Sequence, residues 1–163
     1  MSMDKQLQFF VSARDGDLPK VKALLQDGVP IDGENAGGAT ALEMASYAGQ
    51  LHVVEFLIAN GARIDPAEMP CFSSALIAAV TYHHTAVVAL LLQKGADANA
   101  VDGKGQTALI WAAFHGAPIE IIDALITNGA NAKHKDATGH NAHDYALEAG
   151  HRAIANHLAR QGT

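Results

Sequence analysis

Cysteine is nearly absent from this chain of 163 residues, with Cys71 standing alone. A single thiol closes no internal disulfide and supplies no metal framework, so the fold must hold by packing, in keeping with a reducing compartment. Aromatic residues are scarce as well, at 6% against 49% hydrophobic residues overall. The core must then be assembled from Ala, Leu, Val and Ile in close contact, as layers of helices achieve. Cations are outnumbered, eleven Lys and Arg to seventeen Asp and Glu, for a net charge of −6 that no local basic patch offsets. A phosphate backbone is repelled, and nucleic acid is not an expected partner. No apolar run approaches the roughly 20 residues that span a bilayer. The first residues, Met1-Ser2-Met3-Asp4-Lys5, lack the basic region, apolar run and cleavage site of a secretory signal. A soluble, cytoplasmic protein without membrane association is the expectation. Missing too are a glycine-rich phosphate loop, a serine elbow and a paired-carboxylate arrangement. No enzyme and no cofactor is therefore expected.

Glycine, by contrast, is abundant and periodic. Gly28, Gly61, Gly95, Gly129 and Gly162 are separated by 33, 34, 34 and 33 residues. A period of this size marks a stack of supersecondary units, each unable to bury its apolar face without its neighbours. A second glycine, or a substitute, stands 12 or 13 residues before the first four and the last of these: Gly16, Gly49, His83, Gly116 and Gly150. Between the two marks lie apolar residues at helical spacing, such as Val53, Val54, Leu57 and Ile58, or Val87, Val88, Leu91 and Leu92. These give one broad apolar face of a short helix, which the following glycine can end in the left-handed conformation.

Nine residues before the dividing mark, in the second to fifth units, stands a residue suited to start a helix: Thr40, Ser74, Thr107 and Asn141. Thr40 with Glu43 reads as a capping box. The helix that follows is rich in small residues, as in Ala108-Leu109-Ile110-Trp111-Ala112-Ala113, and can approach a neighbour closely. The remaining dozen residues, rich in Gly, Asp and Asn, form a projecting turn.

Thr107-Ala108-Leu109, Ala112-Ala113, Gly116 and Gly129-Ala130-Asn131-Ala132 resemble the ankyrin repeat, and the likeness extends from about Asp4 to Gly162. It implies an all-α solenoid of stacked helix-turn-helix repeats with projecting β-turn fingers. The expectation is one domain over 1–163, with repeats at about 4–33, 34–66, 67–100, 101–133 and 134–163, the first and last serving as caps. The motif encodes stacking and turn geometry, so the likeness names no ligand. Alanine replaces the motif's proline at Ala41, Ala75, Ala108 and Ala142. Glu43, Ile77, Ile110 and Asp144 replace its histidine, whose hydrogen bonds must be absent or replaced. The third unit is irregular: its connector, from Asp65 to Ser73, is one residue longer, holds Pro66 and Pro70, and has Phe72 where the family has glycine. His83 replaces the inter-helix glycine there, at an expected strain of about 1 kcal/mol.

Such repeats commonly bind proteins on their concave side, through finger tips and the two residues before the inter-helix glycine. Here that implies Tyr47, Thr81, Tyr82, Phe114 and His115, with Lys104 and Gln106 on the fourth finger and Phe72 on the third. Aromatic residues aligned along one groove would form a row of hot spots. A protein partner of an adaptor or inhibitor is the leading expectation, acting by occlusion or positioning, and the acidic balance favours a basic partner surface. Trp111 occupies a leucine-like position and is expected to pack between neighbouring units. Cys71 reads as an exposed turn thiol. Five histidines, His134, His140, His143, His151 and His157, crowd the last unit. His140 and His143 could converge across a helix start, making a metal-binding protein the alternative reading, but no metal site is assigned. A regulatory subunit that docks an enzyme is a further alternative. A monomer is expected, with weak self-association if His143 leaves apolar surface uncovered.

Overall fold

The computed structural model describes residues 2–65 and 74–161. Ten α-helices occur among them, and they alternate as a first and a second helix in each of five units. The first helices are α1 (Ser2–Asp15), α3 (Ala41–Tyr47), α5 (Ala75–Thr81), α7 (Ala108–His115) and α9 (Ala142–Glu148). The second helices are α2 (Leu18–Gln26), α4 (Leu51–Ala59), α6 (Thr85–Gln93), α8 (Ile119–Thr127) and α10 (Arg152–Gln161). Each first helix packs on the first helix of the next unit, and α2, α4, α6 and α8 do the same in a second layer. One hydrophobic core runs through all five units.

Alanine makes the first layer thin. Ala41, Ala45, Ala75, Ala79, Ala108, Ala112, Ala142 and Ala146 are all buried, so backbones approach without long side chains between them. The larger core residues, among them Leu42, Leu57, Leu76, Leu91, Leu109 and Leu125, fill the space between the two layers. The helix starts are those the sequence marks. Thr40, Ser74, Thr107 and Asn141 accept hydrogen bonds from the amides of Glu43, Ile77, Ile110 and Asp144. The Thr40–Glu43 capping box is present, and Asn141 with Asp144 forms a second one. Carboxylates thus stand where the repeat motif has histidine and tie down the first turn in its place.

His83 has φ 59°, the one positive φ at a non-glycine residue among those described. Its neighbourhood explains why a side chain fits. The residue after each inter-helix glycine covers the glycine of the preceding unit: a Cβ at Gly16 would lie 2.5 Å from the Gln50 side chain, at Gly49 2.5 Å from His84, and at Gly116 2.6 Å from His151. The equivalent residue over His83 is Ala117, identified by the shared backbone bonds of His84 to Ala79 and Ala117 to Ala112. A methyl group there leaves the room that Gln50, His84 and His151 occupy elsewhere.

The fingers of the second, fourth and fifth units share one construction. Asn35, Asp102 and Asp136 each accept, through Oδ1, backbone N–H bonds from two and four residues ahead. Gly38, Gly105 and Gly139, three residues after them, take positive φ. Isolated antiparallel bridges, Glu34 to Thr40 and Val101 to Thr107, close two of these hairpins. Between units, the side chains of Asp32, Asp65 and Asn99 accept the backbone amides of Arg63, Asp97 and Asn131, forming a ladder along the stack.

Candidate functional site

A groove runs between the fingers and the first helices, and its side-chain content is set by register within each unit. Five residues before the inter-helix turn, the second to fifth units place Met44, Ala78, Trp111 and Tyr145. Two residues before it stand Tyr47, Thr81, Phe114 and Glu148, and one residue before it Ala48, Tyr82, His115 and Ala149. A cleft of about 610 Å³ lies across the second, third and fourth units. Tyr47, Thr81, Tyr82, Lys104 and His115, all expected from the sequence, line it together with Ile77, Ala78, Trp111 and the finger residues Asp102 and Gly103. Gln106 and Phe114 line a smaller hollow of about 150 Å³ with Lys104, Ile110, Trp111 and Tyr145. Phe72 and Cys71 lie outside the described residues.

The aromatic side chains form two groups rather than one row. Tyr47 and Tyr82 meet edge to face with ring centres 4.3 Å apart, and both are about half exposed. Trp111 stacks flat on His115 at 5.4 Å, and Phe114 meets the rings of Trp111 and Tyr145 edge on. Trp111 packs against the core only in part, which narrows the expectation of core packing between units. It is only partly buried, its ring lines the cleft, and its indole N–H donates to Asp102 Oδ2 at 3.0 Å. Register is the cause: Trp111 shares its position with Met44, Ala78 and Tyr145, whereas the inward leucine is Leu109.

Polar groups behind the aromatics hold them in place. Asp136 is buried and accepts from Tyr145 Oη at 2.7 Å, from Gln106 Nε2 at 3.2 Å and from Thr138 Oγ1 at 2.7 Å. Burial pushes its pKa up, but hydrogen bonds from Tyr145, Thr138 and Gln106 outweigh this and hold the carboxyl well below the usual range. The same bond raises Tyr145, which stays a phenol. Burial, followed by the neighbouring His83 and His151, lowers the pKa of His115 and keeps its ring neutral for stacking at neutral pH. Glu43 behaves oppositely: burial raises it to about 7, against the Thr40 amide bond that stabilises its charge and with Glu34 adding repulsion.

No group of three or more His, Cys, Asp or Glu able to hold a metal occurs among the described residues. The histidines of the last unit face separate partners: His134 the Gly105 carbonyl, His140 the Thr138 hydroxyl and Glu148, His151 the Phe114 carbonyl, His157 Asp123. His140 and His143 do not converge on a common centre, and the metal-binding alternative has no geometric support. The chemistry of the groove is that of contact: aromatic faces, one lysine, and carboxylates saturated by internal donors.

A family model of ankyrin repeats, in three copies, matches residues 4–68 and 76–163. The chain is 32% identical to ankyrin repeat and SAM domain-containing protein 6 of Danio rerio, over 74% of its own length and 19% of that protein's. It is 33% identical to an ankyrin repeat-containing protein of Treponema pallidum, over 85% of this chain and 46% of the relative. A fowlpox virus ankyrin repeat protein is 29% identical over 82% of this chain and 40% of its own. The chain thus spans less than half the length of each of these relatives. No helix among the described residues is long and apolar enough to cross a membrane. With the family model covering both described stretches, and the capped helix pairs, left-handed turns and fingers recurring in register, the chain belongs to the ankyrin repeat family.

Proposed function

We propose that the chain is a non-catalytic protein-binding module of adaptor or inhibitor type, working in the cytoplasm as a monomer and engaging a protein through the groove between fingers and first helices. Ankyrin repeats are in general protein–protein interaction modules. The observation that carries the reading for this chain is the exposed Tyr47–Tyr82 pair bordering the cleft, which faces Trp111 and His115 of the fourth unit. Half-exposed tyrosines that touch each other hold their rotamers before binding, so little side-chain entropy is lost when a partner covers them. Rigid aromatic surface around a concavity is what hot-spot residues present.

The test is site-specific photo-crosslinking in native extract. A photoreactive phenylalanine analogue at Tyr82 should capture a defined partner chain, and the same group at Gln93, on the exposed side of the second layer, should not. Capture from Gln93 but not from position 82 would overturn the groove assignment.

A further inference from the structure

The notch at the centre of the groove has a sequence cause. Of the four side chains at the groove-lining position, Met44, Trp111 and Tyr145 are bulky, while the third unit supplies only the methyl of Ala78. The cleft of about 610 Å³ lies over that methyl. Tyr47 and Tyr82 bound it from the second and third units, Trp111 and His115 from the fourth. Thr81, at its edge, donates its hydroxyl back to the Ile77 carbonyl at 2.8 Å and offers no free donor. The space has the chemistry of a socket for one large carbon-rich side chain.

The rim decides what stands beside that side chain. Asp102 accepts three N–H bonds, from the Lys104 and Gln106 backbones and from the Trp111 indole. The amide of Gln106 donates to Asp136 and to Tyr145 Oη. These groups are committed within the protein. Of the charged groups in the lining, Lys104 is the exception: it is exposed, lines both the cleft and the smaller hollow, and its ammonium has no hydrogen bond or ion pair among the described residues. An ammonium at the edge of a socket that loses water on binding needs an anionic acceptor from the partner.

We infer that the Ala78 notch takes a bulky apolar or aromatic side chain of a partner segment, and that a carboxylate next to that side chain pairs with Lys104. The inference rests on the groove reading above and specifies the chemistry of the partner it requires. Although the protein carries a net charge of −6, the local hydrogen-bond inventory at this spot selects an acidic neighbour to the anchor.

Selection of a displayed random dodecapeptide library on the folded protein tests it, followed by anisotropy titration of labelled synthetic peptides against wild type and variants. Selected peptides should carry an aromatic or large aliphatic residue within two positions of Asp or Glu. Ala78→Met, which copies the second unit's residue into the third, should weaken them at least about tenfold by filling the socket. Lys104→Ala should weaken them about tenfold at low salt, and Lys104→Glu should move selection toward Lys or Arg beside the same anchor. Circular dichroism confirms that each variant is folded. Apolar peptides that bind in the groove without acidic bias, and that ignore Lys104→Glu, would overturn this inference and leave the groove reading standing. Peptides insensitive to Ala78→Met and to Tyr82→Ala alike would overturn both. Binding that appears only when Glu68 and Phe72 are replaced by alanine would assign the notch to the chain's own connector and overturn the inference.

Discussion

Single side chains in this protein depart from their repeat register in ways that register alone makes visible. Glu43 stands where the next two units have Ile77 and Ile110, both buried in the core. A carboxyl at such a position is held neutral by burial, and its pKa of about 7 lies above its ordinary value of 4.5. The folded state therefore binds its proton more tightly than the unfolded chain. Its contribution to stability is complete below the ordinary value and is lost as pH rises toward about 7. Glu43→Gln keeps an acceptor for the Thr40 amide and removes the charge. It should raise stability at pH 7–8 by about 1–2 kcal/mol, less than full linkage because the carboxyl keeps some water, with the gain vanishing in acid. Urea titrations across this pH range measure it, and a gain that persists unchanged in acid would refute the burial account. Thr40 and Glu43 were legible from their spacing as a capping pair, because capping is a local rule. The partial burial of Glu43 was not, since it depends on how α3 packs in the stack.

At the level of the element, the fingers show how the sequence encodes more than its composition suggests. Asn35, Asp102 and Asp136 each precede a glycine by three residues, a spacing readable from the chain, and each folds its hairpin through the same pair of amide bonds. The long-range half of the construction is not readable: Gln106 and Tyr145 reach Asp136 across 30 and 9 residues. That network fixes Tyr145 at the end of the groove, five residues before the inter-helix turn, whereas Tyr47 and Tyr82 stand two and one residues before theirs, at the positions to which the family resemblance points. Asp136→Asn would turn an amide donor toward the Tyr145 hydroxyl and the Gln106 amide, leaving donors opposed to donors. A loss of about 1–3 kcal/mol is expected at neutral pH. The depressed pKa of Asp136 stabilises the fold above the ordinary value of 3.8 and ceases to do so as pH falls below it. The variant should therefore differ most from wild type at neutral pH and least in strong acid. Thermal melts at the two extremes, with amide exchange localised to α9 and the fifth finger, check both parts. A deficit equal at both extremes would show that the carboxylate's charge is irrelevant.

Over the whole molecule, the stack behaves as a line of units whose stability is shared between neighbours, and its ends differ from its middle. Leu147 is 52% exposed, whereas its equivalents Ala13, Ser46, Val80 and Ala113 are fully buried, because no further unit covers the outer side of α9 among the described residues. The repeat count, the helix pairs and the left-handed turns all followed from glycine spacing, since each is imposed by backbone geometry. What spacing could not supply was the division of the groove into two aromatic groups around a notch, which arises from the absence of bulk at Ala78. The pairing of His83 with Ala117 carries the point furthest. Elsewhere a glycine lies beneath a long polar side chain; here a histidine lies beneath a methyl. The third and fourth units therefore form an ordered couple, and the array has a reading direction at that joint. A tandem copy of the third unit would bring a second His84 down on His83, whereas a tandem copy of the second would repeat the tolerated match of His84-like bulk over glycine less severely, as Gln50 over Gly49. The chain lengthened by the third unit should unfold at lower urea than the one lengthened by the second, and growth of this protein by duplication is obstructed at one internal seam and open at another.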